Sequence, residues 1–297
     1  MNVGFIGLGR MGRPMASNLC RKGFRLLVND VNPAAMDELA LLQARPCGIA
    51  ELSAGSDVIV TMLPNSAIVQ DVLTMAEGVF AHARPGSIVL DMSTIDPETT
   101  DALAAAAQAR GLGFVDAPVG RLASHADRGE SLFMVGGEPG HFERVKPLLE
   151  AMGTTIHHCG PVGAGTRTKL VNNFLAVASC QMNAEALSLS QRFGLNLERT
   201  LEVLYGTTAV NGQLKIAWPA KVLKGDVAPG FTIDLAHKDL SLIVEAANAA
   251  RLPMPMAAAA REAFSAARAR GYGGQDFSAM VDAACDQAGV AKARLSD

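Results

Sequence analysis

The stretch Val3-Gly4-Phe5-Ile6-Gly7-Leu8-Gly9-Arg10-Met11-Gly12 decides the fold. An apolar, strand-like run passes straight into G-x-G-x-x-G, and the motif opens a segment that carries Met11, Met15 and Leu19 at helical spacing. In a strand–turn–helix setting the three glycines have separate tasks. The first permits a tight turn and the second lets backbone approach a pyrophosphate. The third lets helix and strand pack closely, and the helix N-terminus receives negative charge. The next strand-like run, Arg25–Asn29, leads directly into Asp30, 23 residues after Gly7. A carboxylate there can accept from the adenine ribose hydroxyls and repels a 2′-phosphate, and no Arg follows at once to hold one. These residues point to NAD rather than NADP. Without a dinucleotide, the glycines are an ordinary βα turn and Asp30 is a cap or turn residue in the segment Asn29–Pro33.

Outward from this stretch, short apolar runs alternate with helical ones. Val58–Met62, Ile88–Asp91, Phe114–Asp116, Leu132–Val135 and Thr155–His158 read as strands, and Met11–Arg21, Pro97–Arg110 and Pro139–Met152 as amphipathic helices. This alternation predicts an α/β fold, a doubly wound parallel Rossmann sheet covered on both faces. After the Gly-rich segment 160–165 the pattern changes. Thr166 to Phe193 runs 28 residues without Gly or Pro, with Leu170, Phe174, Val177 and Leu187 at helical spacing. The remainder is rich in Ala and Leu. The expected organisation is a dinucleotide-binding domain over residues 1–163 and an all-helical substrate and oligomerisation domain over 164–297.

Composition excludes several classes. Apolar residues make up 49% of the 297 and charged residues 19%, which is ample for a packed core and rules out disorder. With 26 Lys+Arg against 29 Asp+Glu and no basic block, there is no footprint for nucleic acid. No apolar run approaches the roughly 20 residues of a membrane span. Five widely spaced cysteines and six histidines without paired ligand spacing argue against a disulfide framework or a metal site. A reduced, cytoplasmic setting is the expectation.

Lys169, Asn172 and Asn173 stand at i, i+3 and i+4 near the start of the long helical segment, so an ammonium and at least one amide share a face beside the domain boundary. A Lys there can protonate the oxygen of a carbonyl as hydride arrives, or act as base in reverse. By spacing alone, the same residues also suit a solvated Lys with Asn residues that cap or bridge helices.

Several motifs in order, GFIGLGRMGRPMASNL (4–19), DMSTIDP (91–97), DAPVG (116–120), GPVGAGTRTKLVNN (160–173) and FTIDLAHKDL (231–240), resemble the β-hydroxyacid dehydrogenase family. That family includes the 3-hydroxyisobutyrate dehydrogenases and tartronate semialdehyde reductases, and the resemblance covers essentially the whole chain. It implies a Rossmann domain followed by a helical domain, a catalytic lysine at Lys169 and a substrate-orienting asparagine at Asn173. It also implies cofactor contacts at Gly7, Gly9, Arg10, Met11, Gly12, Asp30, Met62, Leu63, Pro64, Thr94 and Lys238, and a homodimer or homotetramer. There is one departure. The family usually continues D-A-P-V with Ser-Gly-Gly, which holds the substrate carboxylate; here Gly120-Arg121-Leu122 stands instead.

P-V-G-R, with TMLPN (61–65) and WPAKVLKGD (218–226), resembles the sulfolactaldehyde reductase branch. That branch reduces 3-sulfolactaldehyde to 2,3-dihydroxypropane-1-sulfonate with NADH, late in sulfoquinovose breakdown. In this reading Arg121, Asn172 and Gly120 hold the anion, since an Arg fork suits two of the three sulfonate oxygens. The other reading of Arg121 is a loop residue facing solvent or pairing with Asp127 or Glu130. Two alternative functions follow. One is an enzyme for carboxylates such as 3-hydroxyisobutyrate or tartronate, methylmalonate or succinate semialdehyde. The other is a non-catalytic dinucleotide-binding regulator, against which the presence of Lys169 and Asn173 argues.

Overall fold

The strands β1 (Asn2–Ile6), β2 (Arg25–Asn29), β3 (Arg45–Pro46), β4 (Val58–Thr61), β5 (Ile88–Asp91), β6 (Gly113–Asp116), β7 (Val119–Gly120), β8 (Ser131–Gly136) and β9 (Gly153–Gly160) join in one sheet. They belong to a computed structural model that describes residues 1–295. The order is β3-β2-β1-β4-β5-β6-β8-β7, with β9 paired to β8. The first six run parallel in the Rossmann order, so the carboxyl ends of β1 and β4, where the strand order reverses, form the switch point. β8 lies antiparallel to β6 and β7, so the sheet is mixed beyond β6 rather than parallel throughout. The two-residue strands β3 and β7 are too short for an apolar pattern to mark.

Alternation along the strands explains why both faces are covered. Val3 and Phe5 of β1, Val58 and Val60 of β4, Ile88 and Leu90 of β5 and Val115 of β6 join one buried cluster with Leu19 and Leu148. Ile6, Ile59, Val89 and Phe114 from the same strands join another, with Leu52, Val69 and Leu103. Neighbouring residues point to opposite faces, and each face meets its own helices.

By contacts, the chain divides into a unit Met1–Lys169 and a unit from Leu170 onward. The division falls within the 29-residue helix Ala164–Arg192. The second unit adds the helices Leu197–Tyr205, Ile233–Ala249, Pro255–Ala269 and Met280–Ala288 around fully buried Trp218, Phe264, Leu187 and Leu240. Asn196 and Thr232 cap two of these helices by accepting from the N–H groups of Arg199 and Leu235. The carboxylate of buried Asp276 accepts the N–H groups of Gly230 and Phe231 and both donors of Ser278, which pins the entry to the helix Ile233–Ala249.

Gly12 opens the first helix where a Cβ would lie 1.9 Å from the carbonyl oxygen of Gly7. Backbone cannot yield as a flexible side chain would. Gly12→Ala is therefore expected to destabilise the first unit by about 1–3 kcal/mol, measured as a lowered midpoint in urea.

Candidate active site

The glycine loop divides its labour by geometry. Gly7 has φ +96°, and a Cβ on it would lie 2.3 Å from the Met62 carbonyl oxygen. Gly9 has no heavy atom within 4 Å of its Cβ direction, so that side of the loop is open to a ligand. No side chain caps the following helix at Met11, which leaves the positive end of its dipole available to an anion. Arg10 is exposed and Met11 half-buried on this turn. Asp30 Oδ2 accepts the Leu8 N–H at 2.5 Å and Oδ1 the Asn32 N–H at 2.7 Å. The carboxylate thus ties the end of β2 to the glycine loop, and each oxygen keeps a lone pair for a ribose hydroxyl. Capping of the next helix falls instead to Asn32, which accepts from Ala34 N–H. This loop fits a dinucleotide.

Met62-Leu63-Pro64 leaves β4 and Thr94 follows β5, so both segments lie at carboxyl ends of parallel strands. Their backbone is held from below. The Leu63 N–H donates to Ser93 Oγ at 2.9 Å, and the Ser93 N–H and Thr61 hydroxyl donate to Asp91 Oδ1 at 3.1 and 2.8 Å. Burial pushes the Asp91 carboxyl up; hydrogen bonds from Ser93 and Thr61 pull it down, and Asp116 nearby raises it further.

Lys169 is buried, 9% exposed, and its Nζ donates to the Val119 carbonyl oxygen at 2.7 Å. Gly120, also buried, is the next residue of β7. The start of the long helix is fixed by Asp116, a residue that the sequence marked only as part of a motif. Its two oxygens accept the N–H groups of Gly163 and Thr166, each at 2.7 Å. Burial raises this carboxyl as well, against the pull of those two N–H groups.

In the second unit, Asn173 is buried and donates from Nδ2 to Asp239 Oδ2 at 2.6 Å, while its Oδ1 accepts from Asn172 Nδ2 at 3.0 Å. Lys238 Nζ lies 2.9 Å from the other oxygen of Asp239. The structure therefore joins Asn172, Asn173 and Lys238 through Asp239, which sequence reasoning missed. Its only signal was a carboxylate beside Lys238 in a helix, at a position that proves 2% exposed.

Arg121 is the unusual member. It is a non-glycine residue at φ +72°. Its Nη1 donates to the Glu130 carbonyl at 2.7 Å and to Thr154 Oγ1 at 3.1 Å, and its Nη2 to Thr155 Oγ1 at 3.1 Å. The side chain of Glu130 pairs instead with Arg128. Among the described residues no group of three His, Cys, Asp or Glu side chains can hold a metal, and no helix is long and apolar enough to cross a membrane.

A switch-point glycine loop, a carboxylate at the end of the second strand and a buried lysine are the parts of a nicotinamide-dependent oxidoreductase. Comparison with known proteins agrees. Residues 2–160 match the NAD binding domain of 6-phosphogluconate dehydrogenase, and residues 163–284 the NAD-binding family of NADP-dependent 3-hydroxyisobutyrate dehydrogenase. The chain is 43% identical to a 3-sulfolactaldehyde reductase of Escherichia coli K12, over 97% of both chains. It is 37% identical to an NAD-dependent L-serine dehydrogenase of Pseudomonas aeruginosa, over 94% of this chain and 96% of that one. A Mycobacterium tuberculosis 3-hydroxyisobutyrate dehydrogenase structure, with L-serine, superposes with a TM-score of 0.87 at 31% identity, covering 95% of this chain and 98% of that one. The chain belongs to the 3-hydroxyisobutyrate dehydrogenase family, and it is an NAD-dependent oxidoreductase acting on a CH–OH group.

The open face at Gly9 gives a clean test. Gly9→Ala meets no protein atom, so thermal stability is expected to stay at the wild-type value. A methyl group between backbone and pyrophosphate is expected to raise the NADH Kd about tenfold or more, which corresponds to roughly 1.4 kcal/mol or above. Fluorescence titration with NADH beside a melting curve measures both.

Proposed function

We propose that the chain reduces 3-sulfolactaldehyde to 2,3-dihydroxypropane-1-sulfonate with NADH, with Lys169 as proton donor. The observation that carries this reading is Arg121. A left-handed backbone costs a residue with a Cβ about 1–2 kcal/mol, and the family's usual Ser-Gly-Gly has glycine at this place. An arginine retained under that strain points to a task for its guanidinium. It follows Val119 by two residues, and the Val119 carbonyl holds the Lys169 ammonium. An anion anchor and a proton donor thus meet one short loop, which suits an aldehyde and a sulfonate separated by two carbons. The 43% identity to a 3-sulfolactaldehyde reductase supports the same substrate.

Bound NADH supplies the hydride to the aldehyde carbon. The desolvated Lys169 ammonium gives a proton to the carbonyl oxygen as that oxygen gains negative charge, and the neutral amine takes it back in the reverse direction. Asn173, held by Asp239 and Asn172, keeps one N–H to donate to the substrate. Arg121 exchanges its neutral oxygen acceptors for the sulfonate, a stronger charge-assisted partner, with Asn172 and the Gly120 backbone as further donors. The segments Met62–Pro64 and Thr94, together with Lys238, contact the dinucleotide.

The setting that follows is late sulfoquinovose breakdown in the cytoplasm, where five free thiols are at home. The active form is a homodimer or homotetramer. Val171, Leu175, Met182, Leu189 and Phe193 are each at least half exposed. The first four fall within about 40° of arc along the long helix at 3.6 residues per turn, and Phe193 follows directly after its last residue, an apolar stripe suited to a second copy.

Two variants test the chemistry. Lys169→Ala is expected to lower kcat by about 10²–10⁴ with NADH binding intact; wild-type turnover would overturn the assignment. Arg121→Gly relieves the backbone strain, so folding is retained. KM for 3-sulfolactaldehyde is nevertheless expected to rise about 10- to 100-fold, the worth of a hydrogen-bonded charge. Steady-state rates with tartronate and succinate semialdehydes beside it decide the substrate. A higher kcat/KM on a carboxylate would assign the enzyme to that class and make Arg121 a general anion clamp.

A further inference from the structure

We propose that Asp91 and Asp116 are a pair of positioning residues that divide the reaction site between them, Asp91 setting the loops that receive the dinucleotide and Asp116 setting the start of the helix that carries Lys169. The proposal rests on the roles given above to those loops and to Lys169.

The two carboxylates end adjacent parallel strands and are partners in register, and each is 1% exposed. Two acids side by side in a core are unfavourable unless each is bonded, and each is bonded to a different part of the machinery. Asp91 Oδ1 accepts from Thr61 and from the Ser93 N–H, and Ser93 Oγ in turn accepts the Leu63 N–H. One carboxylate therefore sets the loop after β4 and the loop after β5, the two that carry Met62-Leu63-Pro64 and Thr94.

Asp116 closes a different circuit. It takes the N–H groups of Gly163 and Thr166 at the start of the long helix. Three residues on from Thr166, Lys169 reaches back to the Val119 carbonyl, three residues on from Asp116. The circuit is tight. A Cβ on Gly165 would lie 2.2 Å from the Met134 carbonyl oxygen and 2.9 Å from Asp116 Oδ2, and a Cβ on Gly136 would lie 2.4 Å from Asp116 Oδ1. Thr100 and Thr166 hydroxyls meet 3.2 Å apart beside it. Lys169 Nζ is thereby placed from both ends of its side chain, through the helix start and through the strand that follows Asp116.

The test separates the two arms. Asp116→Asn must turn an amide N–H₂ toward one of two backbone N–H groups. It is expected to lower kcat about 10- to 100-fold, since an error of about 1 Å in a reacting group has that size. The pH profile of kcat is expected to shift, and the NADH Kd to stay within twofold. Asp91→Ala is expected to raise the NADH Kd about tenfold, with the pH profile of kcat at saturating NADH unchanged. Ser93→Ala and Gly165→Ala repeat the loop arm and the helix arm without removing a buried carboxylate, and they decide the matter if an aspartate variant does not fold. Equal losses of kcat and NADH affinity in both arms, or an unchanged kcat in the helix arm, would overturn the proposal. Lys169→Ala is measured alongside. If it keeps wild-type turnover, the proton-donor reading fails and the helix arm falls with it, while the loop arm is still judged by NADH affinity.

Discussion

A 29-residue helix that begins inside a fold must find acceptors for the N–H groups at its start, and here the two oxygens of a single carboxylate take those of Gly163, just before it, and of Thr166, in its first turn. Asp116 ends a buried central strand, so its position is set by the parallel ladder of β4, β5 and β6 before any polar group is considered. A negative charge at a helix N-terminus gains from the dipole as well as from the hydrogen bonds. The apolar alternation that builds the sheet therefore also fixes where the lysine stands along its helix. Replacing that acid by an apolar residue would leave two buried donors without partners, each at the cost of an unmade hydrogen bond.

The polar interior of the second unit follows the same rule. Asn173 is buried, so its amide needs partners, and Asp239 and Asn172 take one group each. Asp239 is buried beside Lys238, so its charge is met by an ammonium and an amide at once. Asn172, Asn173, Asp239 and Lys238 hold one another, and a partial version of this network leaves a charge or an amide unpaired. The buried aspartates of the first unit do the same for backbone donors.

Much of this was legible in the sequence. β2 and β5 and the helix Pro139–Met152 coincide with the apolar and amphipathic runs, and the long helix is displaced by one or two residues from the Gly- and Pro-free segment. Periodicity reads elements long enough to repeat, which β3 and β7 are not. The antiparallel entry of β8 was not legible because a buried strand has the same apolar run in either direction. Asp116 and Asp239 were missed as determinants for another reason. Their partners lie 47, 50 and 66 residues away in the chain, a separation at which spacing carries no information.

Arg121 is the residue at which sequence and structure have most to say to each other. A sequence reading can see only that a guanidinium has replaced a small residue in a loop expected to hold an anion. The structure adds the left-handed backbone and three neutral oxygens around the guanidinium. Two of these are threonine hydroxyls, which can also donate and so can follow the arginine toward an anion or remain behind on water. An arginine that served only to staple β9 to its neighbour would gain as much from an unstrained position. One short loop carries both the strained Arg121 and the Val119 carbonyl that holds the Lys169 ammonium. Under the proposed function, a sulfonate, ionised at every relevant pH and able to accept through several oxygens, is the partner that such a fork suits.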